Sequence, residues 1–229
     1  MRIDRLRVEI YQLLALGFRR PDEAQLRVLG SPRTRAALSA AAGLLPSGPA
    51  GWHSYFDEWR RHLRAGTVDG LVKELVVEYT RLFLGPDVLL CPPYGSVYQD
   101  GGQVMGPSTI DVVQRYRTEG LQTSAGWAEP ADHICMELAF MAHLAGRCSA
   151  GSRGHDDDVA EALLSEQARF LRQHLLRWAP FFAAHVSEFT SAPLYQFLAV
   201  LLPRWLSFDE EVLRAATSTV ETRSQATCQ

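Results

Sequence analysis

With 229 residues, 47% of them hydrophobic and 21% charged, the chain carries enough apolar material to bury a core without disulfides or a structural metal, which excludes a disordered tail. Twenty-three Lys and Arg stand against 26 Asp and Glu, a net charge of −3 with a pI near 6.2, so no overall basic field exists to attract a nucleic-acid backbone. The four cysteines, Cys91, Cys135, Cys148 and Cys228, form no C-x-x-C pair and no zinc-finger spacing, a usage that fits a reducing cytoplasm.

Ile3, Leu6, Ile10, Leu13, Leu14 and Phe18 recur at three- and four-residue intervals, the stripe of an amphipathic helix over 3–18 that Pro21 ends. Its apolar stretch is followed by Arg19-Arg20, the reverse of a secretory signal's charge order, and no segment offers the ~18 uninterrupted apolar residues of a membrane span. Helical patterns continue over 22–29 and 32–43, a Pro/Gly loop covers 45–51, and helices resume over 52–65 and 68–84. Ser108-Thr109-Ile110-Asp111 reads as a capping-box start for a helix over 108–119, with Gly120 as its stop. Pro130 fits the first turn of a helix over 130–148, and Asp156-Asp157-Asp158 suits the start of another. The remaining helices are expected over 157–177, 179–189 and 192–216. With no alternating strand pattern and no repeat, the chain reads as one all-α domain of about ten helices over 1–220, followed by a polar tail over 221–229.

The helical period disappears between Gly85 and Pro107, where glycine and proline take nine of 23 positions. Helix is not expected there. A linker of that length would ordinarily be polar, yet this one holds Val88, Leu89, Leu90, Cys91, Tyr94, Val97, Tyr98, Val104 and Met105, enough apolar area to pack or to bind. It is therefore expected to be an ordered loop, either covering the core or forming a site.

Three strings around that loop carry a resemblance: Tyr79-Thr80-Arg81-Leu82-Phe83-Leu84-Gly85-Pro86, Pro92-Pro93-Tyr94-Gly95-Ser96-Val97-Tyr98, and Glu129-Pro130-Ala131-Asp132-His133. In this order and spacing the sequence resembles the TorD/DmsD family of redox-enzyme maturation chaperones, and the likeness extends from about residue 5 to 210. The resemblance implies an all-helical cytoplasmic chaperone, not an enzyme, that binds the twin-arginine leader and often the body of a molybdopterin-dependent subunit before export. The positions it implies for leader binding are Leu82, Phe83, Pro93, Tyr94, Asp132 and His133, with Pro86, Ser96, Tyr98 and Glu129 nearby; Tyr94 stands where the DmsD branch would have tryptophan.

Physical chemistry asks the same of these residues. A twin-arginine leader has a cationic start followed by ~7–15 apolar residues, so its binder needs an apolar groove with carboxylates at one end. Leu82, Phe83, Pro93 and Tyr94 are expected to line the groove, and Asp132 and Glu129 to meet the arginines through charge-assisted hydrogen bonds. Leu82 and Phe83 also fit plain core positions, and Asp132 fits a plain helix-dipole partner. No metal or other cofactor is expected. Two alternatives stay open: an assembly chaperone of the nitrate-reductase type, and a small helical metal-dependent hydrolase built on Asp132, His133 and Glu137, two of which, His133 and Glu137, stand four apart on a predicted helix.

Overall fold

The computed structural model describes residues 2–46, 51–85, 89–122, 128–151 and 157–227. The expectations resting on Pro86, Val88, Asp156 and Cys228 lie outside that set. Helix α1 (Ile3–Gly17) buries Leu6, Ile10, Leu13 and Leu14 and packs along α8 (Ile134–Gly151), with α11 (Pro193–Thr227) on its flank. A Cβ on Gly17 would lie 2.7 Å from Leu198 Cδ1, so glycine is what lets the end of α1 rest against α11.

Local sequence explains most starts. Asp22 and Gln25 form a capping box at α2 (Glu23–Leu29), and Ser31 caps α3 (Pro32–Ala42), whose first position is the favoured one for proline. Then come α4 (Trp52–Ala65) and α5 (Val68–Tyr79), the latter capped by Thr67 and running on into a π-helical turn, Thr80–Leu84. Short α6 (Gly95–Gln99) precedes α7 (Pro107–Thr118), and Gly120 at φ +71° ends the latter in the left-handed conformation anticipated for a stop. After α8, α9 (Asp157–Phe170) passes through a second π turn, Leu171–Leu175, into α10 (Leu176–Phe189). When the runs joined by π turns are merged, ten helices remain among the described residues, with no strand. The all-α reading of the sequence holds.

Four boundaries differ from the expectations. The helix expected over 130–148 begins only at Ile134, because Ala131, Asp132 and His133 form a turn that meets another part of the chain. The break expected at 178 is absent: α10 continues past it, with Pro180 inside the helix. Proline in a helix costs about 3 kcal/mol, whereas Trp178, Phe182 and Val186 are fully buried, at roughly 1.5–3 kcal/mol each, so packing wins. The last helix extends past 216 to Thr227. The segment 85–107 does contain a helix, α6, and α7 opens not with a Ser108 cap but with the Asp100 carboxylate, whose Oδ2 accepts the Ser108 N–H at 3.0 Å and O–H at 2.6 Å.

One polar cluster ties the two ends of the chain together inside the core. The Arg7 guanidinium donates through Nε and Nη2 to the Asp209 carboxylate and through Nη2 to Gln167 Oε1 at 2.7 Å, while Tyr11 O–H donates to Asp209 Oδ2 at 2.7 Å. Arg7 and Asp209 are both buried, joining α1 to α9 and α11. Removing one member of such a pair strands a charge away from water. Asp209→Leu is expected to lower unfolding free energy by about 3–5 kcal/mol in urea titrations, and adding Arg7→Met to recover at least half of that loss. An equal or larger loss in the double variant would show that the pair itself, not the stranded arginine, carries the stability.

Candidate functional site

The sequence between Leu89 and Pro107 crosses the start of α8, and the two segments cap one another. Pro93 C=O accepts the Ile134 N–H at 2.8 Å, and Asp132 C=O accepts the Gly95 N–H at 3.0 Å, forming an isolated antiparallel bridge between Tyr94 and His133. Asp132 Oδ2 also accepts the Ser96 N–H at 2.7 Å, supplying a partner to an N–H at the start of α6. In return, His133 Nδ1 accepts the Cys135 N–H at 3.1 Å, so the imidazole serves as the N-cap of α8. That role needs a lone pair on Nδ1. Burial supplies the condition by holding the His133 pKa down to about 3, so the ring stays neutral.

Beneath this junction Trp178 Nε1 donates to Glu137 Oε2 at 3.1 Å. Tyr98 stacks on the Trp178 indole, with centroids 5.5 Å apart. A Cβ at position 95 would sit 3.0 Å from both Glu137 Oε1 and Trp178 Nε1, so Gly95 allows α6 to close over the pair. Burial first, and the nearby Asp132 carboxylate after it, push the Glu137 carboxyl far above its ordinary range, against the opposing Trp178 bond. Burial therefore favours the protonated, uncharged form of Glu137.

These contacts sort the residues anticipated from sequence. Leu82, Phe83, Pro93, Ser96, Asp132 and His133 are buried, Tyr94 nearly so, and Tyr98 half-buried; Pro86 lies outside the described residues. Leu82 and Phe83 belong to the core, where Phe83 meets Phe18, Tyr79, Phe182 and Tyr195 edge-on or tilted, so they line no open groove. Asp132 does not face solvent, and its placement in a helical first turn is corrected: it precedes the helix and holds α6. The carboxylate left at the surface is Glu129, half-buried, whose Oε2 accepts the Tyr94 O–H at 2.6 Å. Of the two residues four apart, His133 caps α8 and Glu137 faces Trp178.

The opening that the junction does present has a volume of about 430 Å³ and is lined by Met105, Val113, Tyr116, Leu121 and Glu129, among others. Met105 comes from the 85–107 segment that the sequence marked as able to pack or bind, though not from its named leader-binding positions, and Val113 comes from α7, to which sequence reading assigned no site role. Met105 adopts φ 62°, held there by its N–H donating to Ser96 Oγ at 3.1 Å, and its side chain is 67% exposed. Tyr116 O–H donates to Ala131 C=O at 3.1 Å, fixing the floor of the opening to the turn before α8.

A family model described as the nitrate reductase delta subunit matches residues 46–184, more than half of the chain. A chaperone protein TorD of Vibrio cholerae is 34% identical over 140 residues, 61% of this chain and 62% of that protein, so the chain spans less than two thirds of that relative. A TorD of Shewanella pealeana is 29% identical over 221 residues, covering 93% of this chain and 92% of its own. A probable Tat proofreading chaperone DmsD of Haemophilus influenzae is 33% identical over 155 residues, 66% of this chain and 68% of that protein. Among solved structures, one from Archaeoglobus fulgidus assigned as a redox enzyme maturation protein shares the fold, with a TM-score of 0.50, 24% identity and coverage of 87% of this chain and 93% of that one.

The neutral state of Glu137 has a measurable signature. Unfolded, its carboxyl ionises near its ordinary pKa of 4.5; folded, it keeps its proton, so the native state binds more protons and stability falls as pH rises above that value. Glu137→Gln keeps the shape without the titration. Its melting temperature relative to the parent is expected to become steadily more favourable from pH 4.5 to pH 8, and a pH-independent difference would show that Glu137 is ionised in the fold.

Proposed function

The chain belongs to the TorD/DmsD family of redox-enzyme maturation chaperones, and from that premise we propose that it is a cytoplasmic chaperone for a molybdopterin-dependent oxidoreductase subunit. It binds the twin-arginine leader of that subunit, and part of the subunit's body, and holds both until the cofactor is inserted and export can begin. The observation that carries this reading is the pairing of the surface carboxylate of Glu129 with an apolar opening built from Met105, Val113, Tyr116 and Leu121. An arginine needs a carboxylate with an unoccupied oxygen, and an apolar segment needs a surface that sheds water. Both lie within one opening. No covalent chemistry is assigned: the site works by binding. Among the described residues no helix is long and apolar enough to cross a membrane.

A second reading has its own support. The matching family model bears the description of a nitrate reductase delta subunit, which favours a client matured in the cytoplasm without export. The two readings differ in whether the client's leader is recognised.

Calorimetric titration with peptides carrying an Arg-Arg start and an apolar core is expected to give low-micromolar binding, roughly −8 kcal/mol. Glu129→Gln is expected to weaken the Arg-Arg peptide by about 1 kcal/mol and its Lys-Lys analogue by less, because only guanidinium uses a carboxylate as a planar fork. Absence of binding to any such leader, with a leaderless client subunit still captured, would turn the assignment to the second reading.

A further inference from the structure

Among the described residues, one face of helix α8 is only partly covered: Met136 packs against the core on one side, and His143 Nε2 lies 3.9 Å from the Glu119 carboxylate. Met136, Ala139 and His143 follow at spacings of three and four, and none is fully covered. Between Glu137 and Arg147 the helix has no Asp, Glu, Lys or Arg, although a helix face in contact with water ordinarily carries charge. Two openings meet on this stripe. One, of about 240 Å³, shares Tyr116, Leu121 and Gln122 with the opening at Glu129. The other, of about 630 Å³, shares Met136, Ala139 and His143 with the first and reaches Leu16 and Arg19 at the end of α1. Together the three form a continuous trough from Glu129 across α8 to Arg19.

We propose that this trough holds the apolar core of the leader, lying across α8 with its cationic end at Glu129 and its distal end at Arg19; the proposal rests on the leader reading above. Charge decides the direction. Arg19 and the adjoining Arg20 are both exposed, so a pair of leader arginines placed there would meet like charge in an apolar, poorly screened trough. At the other end Arg117 shares the rim with Glu129, so that end is not strongly negative, yet it offers the carboxylate that the Arg19 end lacks. Repulsion at one end therefore counts for more than attraction at the other. The lining is suited to varied apolar sequences, since Met105 at the Glu129 end and Met136 in the middle are unbranched and adapt their shape.

The test uses the full chain and a synthetic peptide of two arginines followed by about twelve apolar residues, within the ~7–15 of a leader core, with a photo-crosslinking residue at either end. Cross-links from the arginine end are expected near Glu129 and Met105, and from the distal end near Gln12 and Leu16. Ala139→Glu puts a charge in the middle of the trough at an exposed position, where glutamate is a good helix former. It is expected to weaken peptide binding at least tenfold with no change in melting temperature. Arg19→Glu, also exposed, is expected to let the peptide bind in both directions, with the arginine end now cross-linking near Leu16 as well. Tight binding to the parent with unchanged affinity in Ala139→Glu, or cross-links on the exposed Val77, Phe181 and Phe189 instead, would overturn the trough while leaving the leader reading standing. If the parent binds no such peptide at all, both fall.

Discussion

Two helices begin within a few ångströms of each other at the centre of this protein, and each has N–H groups that its own backbone cannot satisfy. The chain solves both problems with one exchange. Pro93 lends its carbonyl to α8, while Asp132 lends its carbonyl and its carboxylate to α6. Because Asp132 is fully buried, losing either half of the exchange would leave backbone donors without water or protein partners, at about 1–3 kcal/mol each. The position of the loop over the core, the closure of α6 on Trp178 and the floor of the Glu129 opening all follow from it. The Pro-Pro-Tyr and Asp-His strings lie 38 residues apart from Tyr94 to Asp132 in the chain and are one structural object in space.

Two buried groups around this exchange, His133 and Glu137, are held toward their uncharged forms. Burial disfavours the charged form of His133 and so keeps the Nδ1 lone pair that accepts the Cys135 N–H, and it favours the protonated form of Glu137 beneath Gly95 and Trp178. Electrostatic recognition is left to groups at the edge, where Glu129, Arg117 and Arg19 remain in reach of water. The interior sets geometry, and the rim sets charge.

The fold class was legible in the sequence because the apolar spacing of α1, α5 and α8 repeats over many residues, and the stop at Gly120 is local chemistry. Boundaries decided by partners distant in the chain were not legible. Pro130 and Asp132 look like the first turn of a helix until Pro93 is brought beside them, and Ser108 looks like a cap until the Asp100 carboxylate arrives. The same limit applied to the site. Sequence marked the segment that matters and named Glu129, but an aspartate that binds a ligand and one that binds a backbone N–H have the same letter. Burial alone separates them, and burial is a property of the assembled core.

The π turn at Thr80–Leu84 gives that assembly a particular history in its geometry. A wide turn carries one residue more than the α-helix it interrupts, and its carbonyls open outward. Leu82 C=O, whose ordinary partner four positions on would be Pro86 with no N–H to give, accepts the Cys91 N–H at 2.9 Å instead. The extra residue thus converts the end of a helix into the first anchor of the loop. Deleting a single residue within Thr80–Leu84 would restore an even helical winding and turn everything after it by about 100°, aiming the chain that follows away from α8. Insertions and deletions are usually harmless at helix–loop borders; here the number of residues in the border sets where the loop that follows is aimed.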